Sequence, residues 1–256
     1  MNAATPKAED LSLPQAFLLL ATNDKDGEPE LLAYVLRTTL AGAILAELDL
    51  LGAVAVQGKH VRATGAAPES DFQHVLELIR EKSRPHTPKR WVSMLEGRGQ
   101  VHRVYEGMAS LGIVEHVGEK HLGLFKSTRY PEKDHGPEAA LLQKIQAALG
   151  LKPAGAPPAD AMLAGAPPAD ATPAGAAPDA TPADATPPVA SAPAATPPDA
   201  RTTALIALLQ AAGLLGRLFP AADQNRANEL VKNHWPSRAV EDELRMIRLG
   251  LEEAAI

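Results

Sequence analysis

The sequence predicts a mainly α-helical protein: a single helical domain with short β-hairpins, interrupted by a disordered insertion rich in alanine and proline. Three observations support this fold class. A long apolar stretch at 38–51 has helical periodicity, two glycine-centred hairpin patterns each follow a helix, and residues 150–200 lose both patterns. The predicted organisation is a disordered tail at 1–10, a helical part at 11–149, a linker at 150–200 and a C-terminal helical part at 201–256.

The stretch Thr38–Leu51 is predicted to be the central helix. Its apolar residues recur at helical spacing, at Leu40, Ile44, Leu48 and Leu51. A helix that is apolar on nearly every side is normally surrounded by the rest of its domain. Gly42 costs about 1 kcal/mol relative to alanine in a helix interior, which close approach by another backbone would explain. Glu47 lies among apolar residues, so we expect a hydrogen bond or a salt bridge to satisfy it rather than a role as a catalytic acid of raised pKa.

End signals place the neighbouring elements. Ser12 is predicted to cap a first helix that has Pro14 in its first turn, and residues 23–27 have the composition of a turn. Gly52 follows the central helix where a left-handed cap belongs, and the next residues predict a hairpin about Gly58.

Further helices are predicted beyond this hairpin. Ser70 and Gln73 match a capping box for a helix over 71–82, and Thr87 precedes a short helix in which Trp91 is expected to pack into the core. The second hairpin is predicted to turn at Gly118. Apolar spacing predicts the remaining helices over 100–111 and 137–149, and around 205–209, 228–231 and 240–251.

The segment 150–200 differs in composition from the rest. Imperfect copies of an Ala/Pro/Asp/Thr unit fill it, and residues 151–200 hold thirteen of the 23 prolines and no aromatic residue. Such a segment has too little apolar surface to offset the entropy of ordering, so we expect a disordered linker that is partly polyproline II.

Bulk properties exclude several classes of function. The chain has no cysteine, which excludes a disulfide scaffold and thiolate chemistry, and its net charge of −6 does not by itself indicate a nucleic-acid partner. No nucleophile motif, phosphate loop or metal-ligand spacing such as HExxH occurs. We therefore expect no enzyme, no cofactor and no metal, in a protein that is cytoplasmic with or without peripheral attachment to a membrane.

Several segments in the same order resemble the Golgi phosphoprotein 3 family, and most closely its bacterial members. These segments are LSLPQAFLLL, DKDGEP, LAGAILAELDLLGAV, RWVSML, VYEGMASLGIVEH, HLGLFKSTRYPEKD and RTTALIALLQAAGLL. The resemblance implies one mainly helical domain, in which the linker is an insertion. It also implies a homo-oligomer formed through an apolar hairpin near 113–125, with the residues Ile113, Val114, Leu122, Leu124 and Phe125.

The resemblance implies a lipid-binding function as well. Eukaryotic members bind phosphatidylinositol 4-phosphate and act as peripheral Golgi adaptors for glycosyltransferases. The headgroup pocket of those members, one tryptophan and three arginines, aligns with Leu32, Ala41, Arg98 and Val101, so only Arg98 keeps its residue type. Replacement charge could come from Arg37, Arg90 and Arg103, and Arg90 and Arg103 lie with Arg98 in the basic stretch 82–103. The predicted partners are an anionic phospholipid or phosphoinositide and a protein client.

Two alternatives remain at this level. One is a protein-interaction scaffold that does not bind lipid and uses the linker as a tether. The other is winged-helix DNA binding, which would place a basic helix in the major groove. The helices before the two hairpins carry almost no cations, with Arg103 alone in the second, so we expect no nucleic-acid partner.

Overall fold

The computed structural model describes residues 7–65, 68–121, 125–151 and 198–254, and these residues form ten helices and two antiparallel strand pairs. The elements are α1 (Leu13–Leu20), α2 (Ala33–Leu50), β1 (Val54–Gln57), β2 (His60–Ala63), α3 (Gln73–Glu81), α4 (Pro88–Leu95), α5 (Arg98–Ser110), β3 (Val117–His121), β4 (Phe125–Arg129), α6 (Gly136–Ala148), α7 (Ala200–Ala211), α8 (Leu215–Leu218), α9 (Gln224–Val231) and α10 (Trp235–Ala254). The mainly helical fold class is thereby confirmed.

Helix α2 is the centre of the fold, as its apolar pattern predicts. It packs against α1, α4, α5, α7 and α10, and its large apolar side chains at Leu40, Ile44, Leu45 and Leu48 are fully buried. The helix begins at Ala33, five residues before the predicted start. At Gly52 the chain adopts a φ of 66°, so the predicted left-handed cap is confirmed.

The packing of α10 explains Gly42. A Cβ atom at this position would lie 2.2 Å from the Val240 side chain and 3.6 Å from the Pro236 carbonyl oxygen. The close neighbour is therefore mainly a side chain, whereas the sequence suggested a backbone. In either case glycine is required because a larger residue would push α10 away from α2.

A single hydrophobic core contains residues from both sides of the 152–197 segment. Across the same boundary, the Arg201 guanidinium of α7 binds both carboxylate oxygens of Glu47 on α2, at 2.8 and 3.0 Å. The backbone N–H of Leu13 also donates to Glu47, at 2.7 Å. The expected salt bridge of Glu47 is thus confirmed, and it joins α1, α2 and α7.

The ends of the two helical parts extend slightly beyond the predicted limits. Ala8, within the predicted tail, packs into the core, and Asp199, within the predicted linker, caps α7 through a hydrogen bond from the Thr202 N–H. Residues 152–197 of the predicted linker lie outside the described residues. No helix among the described parts of the chain combines the length and the apolar character needed to cross a lipid bilayer.

The helix caps agree only in part with the prediction. Ser12 and Gln15 form a reciprocal capping box on α1, so the N-cap at Ser12 is confirmed. The capping box predicted at Ser70 and Gln73 is wrong: α3 begins after Phe72, and the Ser70 hydroxyl has no hydrogen-bond partner among the described residues. Phe72, which is 2 % exposed, takes the N-cap position of α3 without a side-chain cap hydrogen bond.

The turn of the first hairpin agrees with the prediction, and that of the second does not. In the first, the turn at Gly58 is confirmed, with a φ of 63° between β1 and β2. In the second, the predicted turn at Gly118 is wrong, because Gly118 lies within β3 and pairs with Thr128 of β4. A glycine marks a tight turn only where the backbone needs a positive φ, and Gly118 is not among the glycines that adopt one.

Candidate functional site

Two of the four predicted arginines line one groove between α2 and α5. Arg37 lies in the first half of α2 and Arg98 is the first residue of α5, and the groove encloses about 450 Å³. Val101 and His102 contribute from α5, and Tyr130 contributes from the segment after β4. Pockets of a few hundred Å³ are large enough to hold a small polar ligand.

The two arginines give this groove positive charge. The Nε atom of Arg37 donates to the Ala33 carbonyl oxygen at 3.0 Å, a contact that leaves its positive charge unneutralised. Within the described ranges neither Arg37 nor Arg98 forms an ion pair, whereas Arg201 and Arg217 both do. Unpaired guanidinium groups that face a groove favour a phosphate or carboxylate ligand.

The other two predicted arginines lie elsewhere. Arg103 lies beside Gln15 and Asp71 at a separate cavity of about 330 Å³, with its Nη1 atom 3.3 Å from Nδ1 of His74. Arg90 is exposed on α4 and is not among the residues that line the groove. Of the four predicted arginines, Arg37 and Arg98 line the same groove, and Arg90 and Arg103 do not line it.

The positions that align with the family pocket lie partly at this groove. Val101 lines it, and Leu32 immediately precedes its lining residue Ala33, with 67 % of its surface exposed. Ala41 is buried in the core. Arg37 precedes Ala41 by one helical turn, so it occupies the same side of α2 nearer the groove.

Aromatic residues form a rigid wall of the groove. The rings of Tyr105 and Tyr130 stack in parallel with centroids 4.3 Å apart. The Tyr105 hydroxyl is hydrogen-bonded to Thr22 at 2.7 Å, and the Tyr130 hydroxyl donates to Glu106 at 2.9 Å. Burial raises the pKa of Tyr105 to about 12, and burial together with the Glu106 carboxylate raises the pKa of Tyr130. Both phenols are therefore neutral at physiological pH and add no negative charge to the groove.

Two histidines extend this network. His102 Nδ1 lies 2.8 Å from the Tyr130 hydroxyl oxygen, and His116 Nδ1 lies 2.8 Å from a Glu106 oxygen. Sequence reasoning missed this network because its members come from α5, the start of the second hairpin and the segment after β4. Residues that are so far apart in the chain form no recognisable sequence motif.

The residues predicted for oligomerisation are not all placed on the hairpin. Ile113 and Val114 precede β3 and are buried, with 0 % and 3 % exposure, so in this chain they hold the hairpin to the core. Phe125 begins β4. Leu122 and Leu124 lie outside the described residues, and the role of the hairpin in oligomer formation stays a prediction.

These features define a mainly helical protein with an open surface groove, whose two arginines have no ion-pair partner among the described residues. The sequence model of the Golgi phosphoprotein 3 (GPP34) family matches residues 13–247, from the start of α1 into α10. The match covers most of the chain and spans both helical parts. The chain belongs to the Golgi phosphoprotein 3 family, so the resemblance that the sequence indicated is confirmed.

Proposed function

We propose that this protein is a peripheral adaptor that binds the anionic headgroup of a phospholipid in the groove between α2 and α5. The observation that carries the proposal is the meeting of Arg37 and Arg98, both without an ion-pair partner in the described chain, at one groove. Two guanidinium groups can donate several charge-assisted hydrogen bonds to one phosphate. Family membership supports the same class of ligand.

The composition of the groove suggests how such a headgroup would be held. Arg37 lines the groove from α2 and Arg98 lines it from α5, and the stacked rings of Tyr105 and Tyr130 add aromatic surface. Leu32, exposed beside the groove, would contact the acyl region of the membrane, where an apolar side chain is favoured. Arg90 and Arg103 would then act mainly by general attraction to the charged surface, at about 1 kcal/mol each.

Vesicle flotation tests this proposal. Vesicles of phosphatidylcholine alone, with phosphatidylserine, or with phosphatidylinositol 4-phosphate are compared at low and at raised salt. We expect binding only to the anionic vesicles, with the strongest binding to the phosphoinositide if the groove recognises a phosphomonoester. Hydrogen bonds to charged groups contribute about 1.5–3 kcal/mol each, so the double variant R37Q/R98Q is expected to bind at least about ten-fold more weakly.

The matched control is the double variant R90Q/R103Q. It removes the same charge from exposed arginines outside the groove. If the groove is the headgroup site, this control lowers binding much less than R37Q/R98Q. Equal losses would show general surface attraction instead, and absence of binding to all vesicles would favour the lipid-independent scaffold.

The adaptor role also requires a protein client and, by avidity, a homo-oligomer. Several weak headgroup contacts on one assembly bind a membrane far more tightly than a single contact. Sedimentation velocity on the full chain measures the oligomeric state directly. A monomer at all concentrations would remove the avidity part of the proposal, and binding to a DNA duplex in a gel shift would contradict the expectation of no nucleic-acid partner.

A further inference from the structure

Four side chains with metal-ligating atoms lie together on the side of the molecule where α6 begins. They are Asp24, Glu132, His135 and Glu138, and one ligand atom from each lies within 4.8 Å of all the others. Ligands on opposite sides of one divalent ion, each about 2.0–2.4 Å from it, are separated by about 4–5 Å. The four atoms are thus close enough to share a single ion.

The backbone fixes this arrangement independently of the side chains. The N–H of Glu132 donates to the Asp24 carbonyl oxygen at 3.3 Å, and the N–H of Tyr130 donates to the carbonyl oxygen of Gly27 at 3.0 Å. Gly27 has a φ of 68°, and a Cβ atom there would lie 2.2 Å from the Pro131 nitrogen. The turn 23–27 is therefore seated directly against the segment that carries Glu132.

Glu132 offers a buried oxygen atom that a bound cation could contact. Its side chain is only 3 % exposed, and its Oε1 atom has no hydrogen-bond partner in the described chain. Its Oε2 atom is paired with His135 Nδ1. A buried carboxylate oxygen without a donor is costly, and a bound cation would supply the missing partner.

The local charge balance points the same way. Within the described residues no lysine or arginine forms an ion pair with Asp24, Glu132 or Glu138. Three carboxylates held this close together repel one another, and a bound divalent ion would offset that repulsion.

A cavity gives access to this cluster. Asp24 and Glu138 line a space of about 300 Å³, together with Asn23, Lys25 and Glu30. Glu30 is already paired with Arg217, at 2.9 Å. The space is large enough for water molecules, which can occupy coordination positions that the protein ligands leave open.

We propose that Asp24, Glu132, His135 and Glu138 form a binding site for a divalent transition metal ion, Zn²⁺ or Mn²⁺. One imidazole with three carboxylates suits these ions better than Ca²⁺ or Mg²⁺, which take oxygen ligands almost exclusively. The ion would join the turn 23–27, the segment after β4 and the start of α6. Since Gly27 and Tyr130 also line the groove of Arg37 and Arg98, it would stiffen one wall of that groove.

Titration calorimetry on the tag-free, chelator-treated full chain tests the site with ZnCl₂, MnCl₂, MgCl₂ and CaCl₂. We expect one equivalent of Zn²⁺ or Mn²⁺ to bind and to raise the unfolding temperature, with Mg²⁺ and Ca²⁺ binding at least ten-fold more weakly. The variants E132Q and E138Q are expected to lose at least ten-fold in affinity. The exposed His135 provides a second variant, H135A, which should lose affinity without disturbing the core if E132Q fails to fold.

The control variant is E115Q, which removes one negative charge from an exposed position between α5 and β3. It should bind metal as the unaltered chain does. Absence of Zn²⁺ and Mn²⁺ binding to the folded chain would overturn the proposal. Binding that is unchanged in both E138Q and H135A would also overturn it, because the ion would then occupy a different surface site.

Discussion

Replacing Arg201 with methionine tests the contact that joins the two helical parts. Methionine keeps much of the side-chain volume but leaves the Glu47 carboxylate, 6 % exposed, without its cation. Removing one partner of a buried ion pair costs about 3–5 kcal/mol. Glu47 would keep the hydrogen bond from the Leu13 N–H, and Arg201 itself is 34 % exposed, so we expect a loss near the lower end, about 3 kcal/mol.

Urea unfolding followed by circular dichroism measures this loss as a shift of the midpoint at constant slope. The matched control is R217M, because Arg217 pairs with Glu30 at the surface, with 56 % and 32 % exposure, and should cost about 0–1 kcal/mol. The double variant E47Q/R201M removes the buried, unpaired charge of Glu47, so it should be at least about 1 kcal/mol more stable than R201M. Equal losses in R201M and R217M, or a double variant no more stable than R201M, would refute the reasoning.

Two further predictions concern packing and pH. In G42A the new methyl group would lie 2.2 Å from Val240, and we expect a loss of about 1–3 kcal/mol in urea unfolding. The control is G107A, where a Cβ atom would lie 3.5 Å from the Gln15 side-chain nitrogen, and it should gain up to about 1 kcal/mol from helix propensity. An unchanged stability of G42A would contradict the prediction, because it would show that α10 shifts at no cost. The pKa of Glu138 is raised to about 8 in the folded chain, whereas its ordinary value is 4.5. The folded chain therefore binds a proton more tightly than the unfolded chain does. With chelator present, the free energy of unfolding should rise as the pH falls from 8 to 6.5. Since E138Q removes this titration, the variant should show a flatter pH profile, and an equally steep one would assign the slope to other groups.

Local sequence signals predicted the parts of this fold that depend on backbone preference. The helical pattern of α2, the cap at Ser12, the left-handed cap at Gly52 and the turn at Gly58 were all predicted and found. The predicted turn at Gly118 failed because a glycine permits a positive φ without requiring one, and strand pairing with Thr128 decides its conformation.

Candidate site residues were harder to predict, because a site is made of segments that are distant along the chain. The family resemblance singled out Arg98 from the sequence, but nothing in the pattern showed that Arg37, rather than Arg90 or Arg103, lines the same groove. The cluster of Asp24, Glu132, His135 and Glu138 has no metal-binding spacing, and so gave no signal.

The sequence by itself determined the helical class, the central position of α2, the family and the segment at which ordinary patterning stops. These depend on periodicity and composition, which act between residues near one another in the chain. Only the tertiary structure decided which arginines share a groove, which cation neutralises Glu47 and which carboxylates face one another. The physical reason is that these contacts depend on how α2, α5, α6 and α7 pack. Packing brings together residues that are far apart in the sequence.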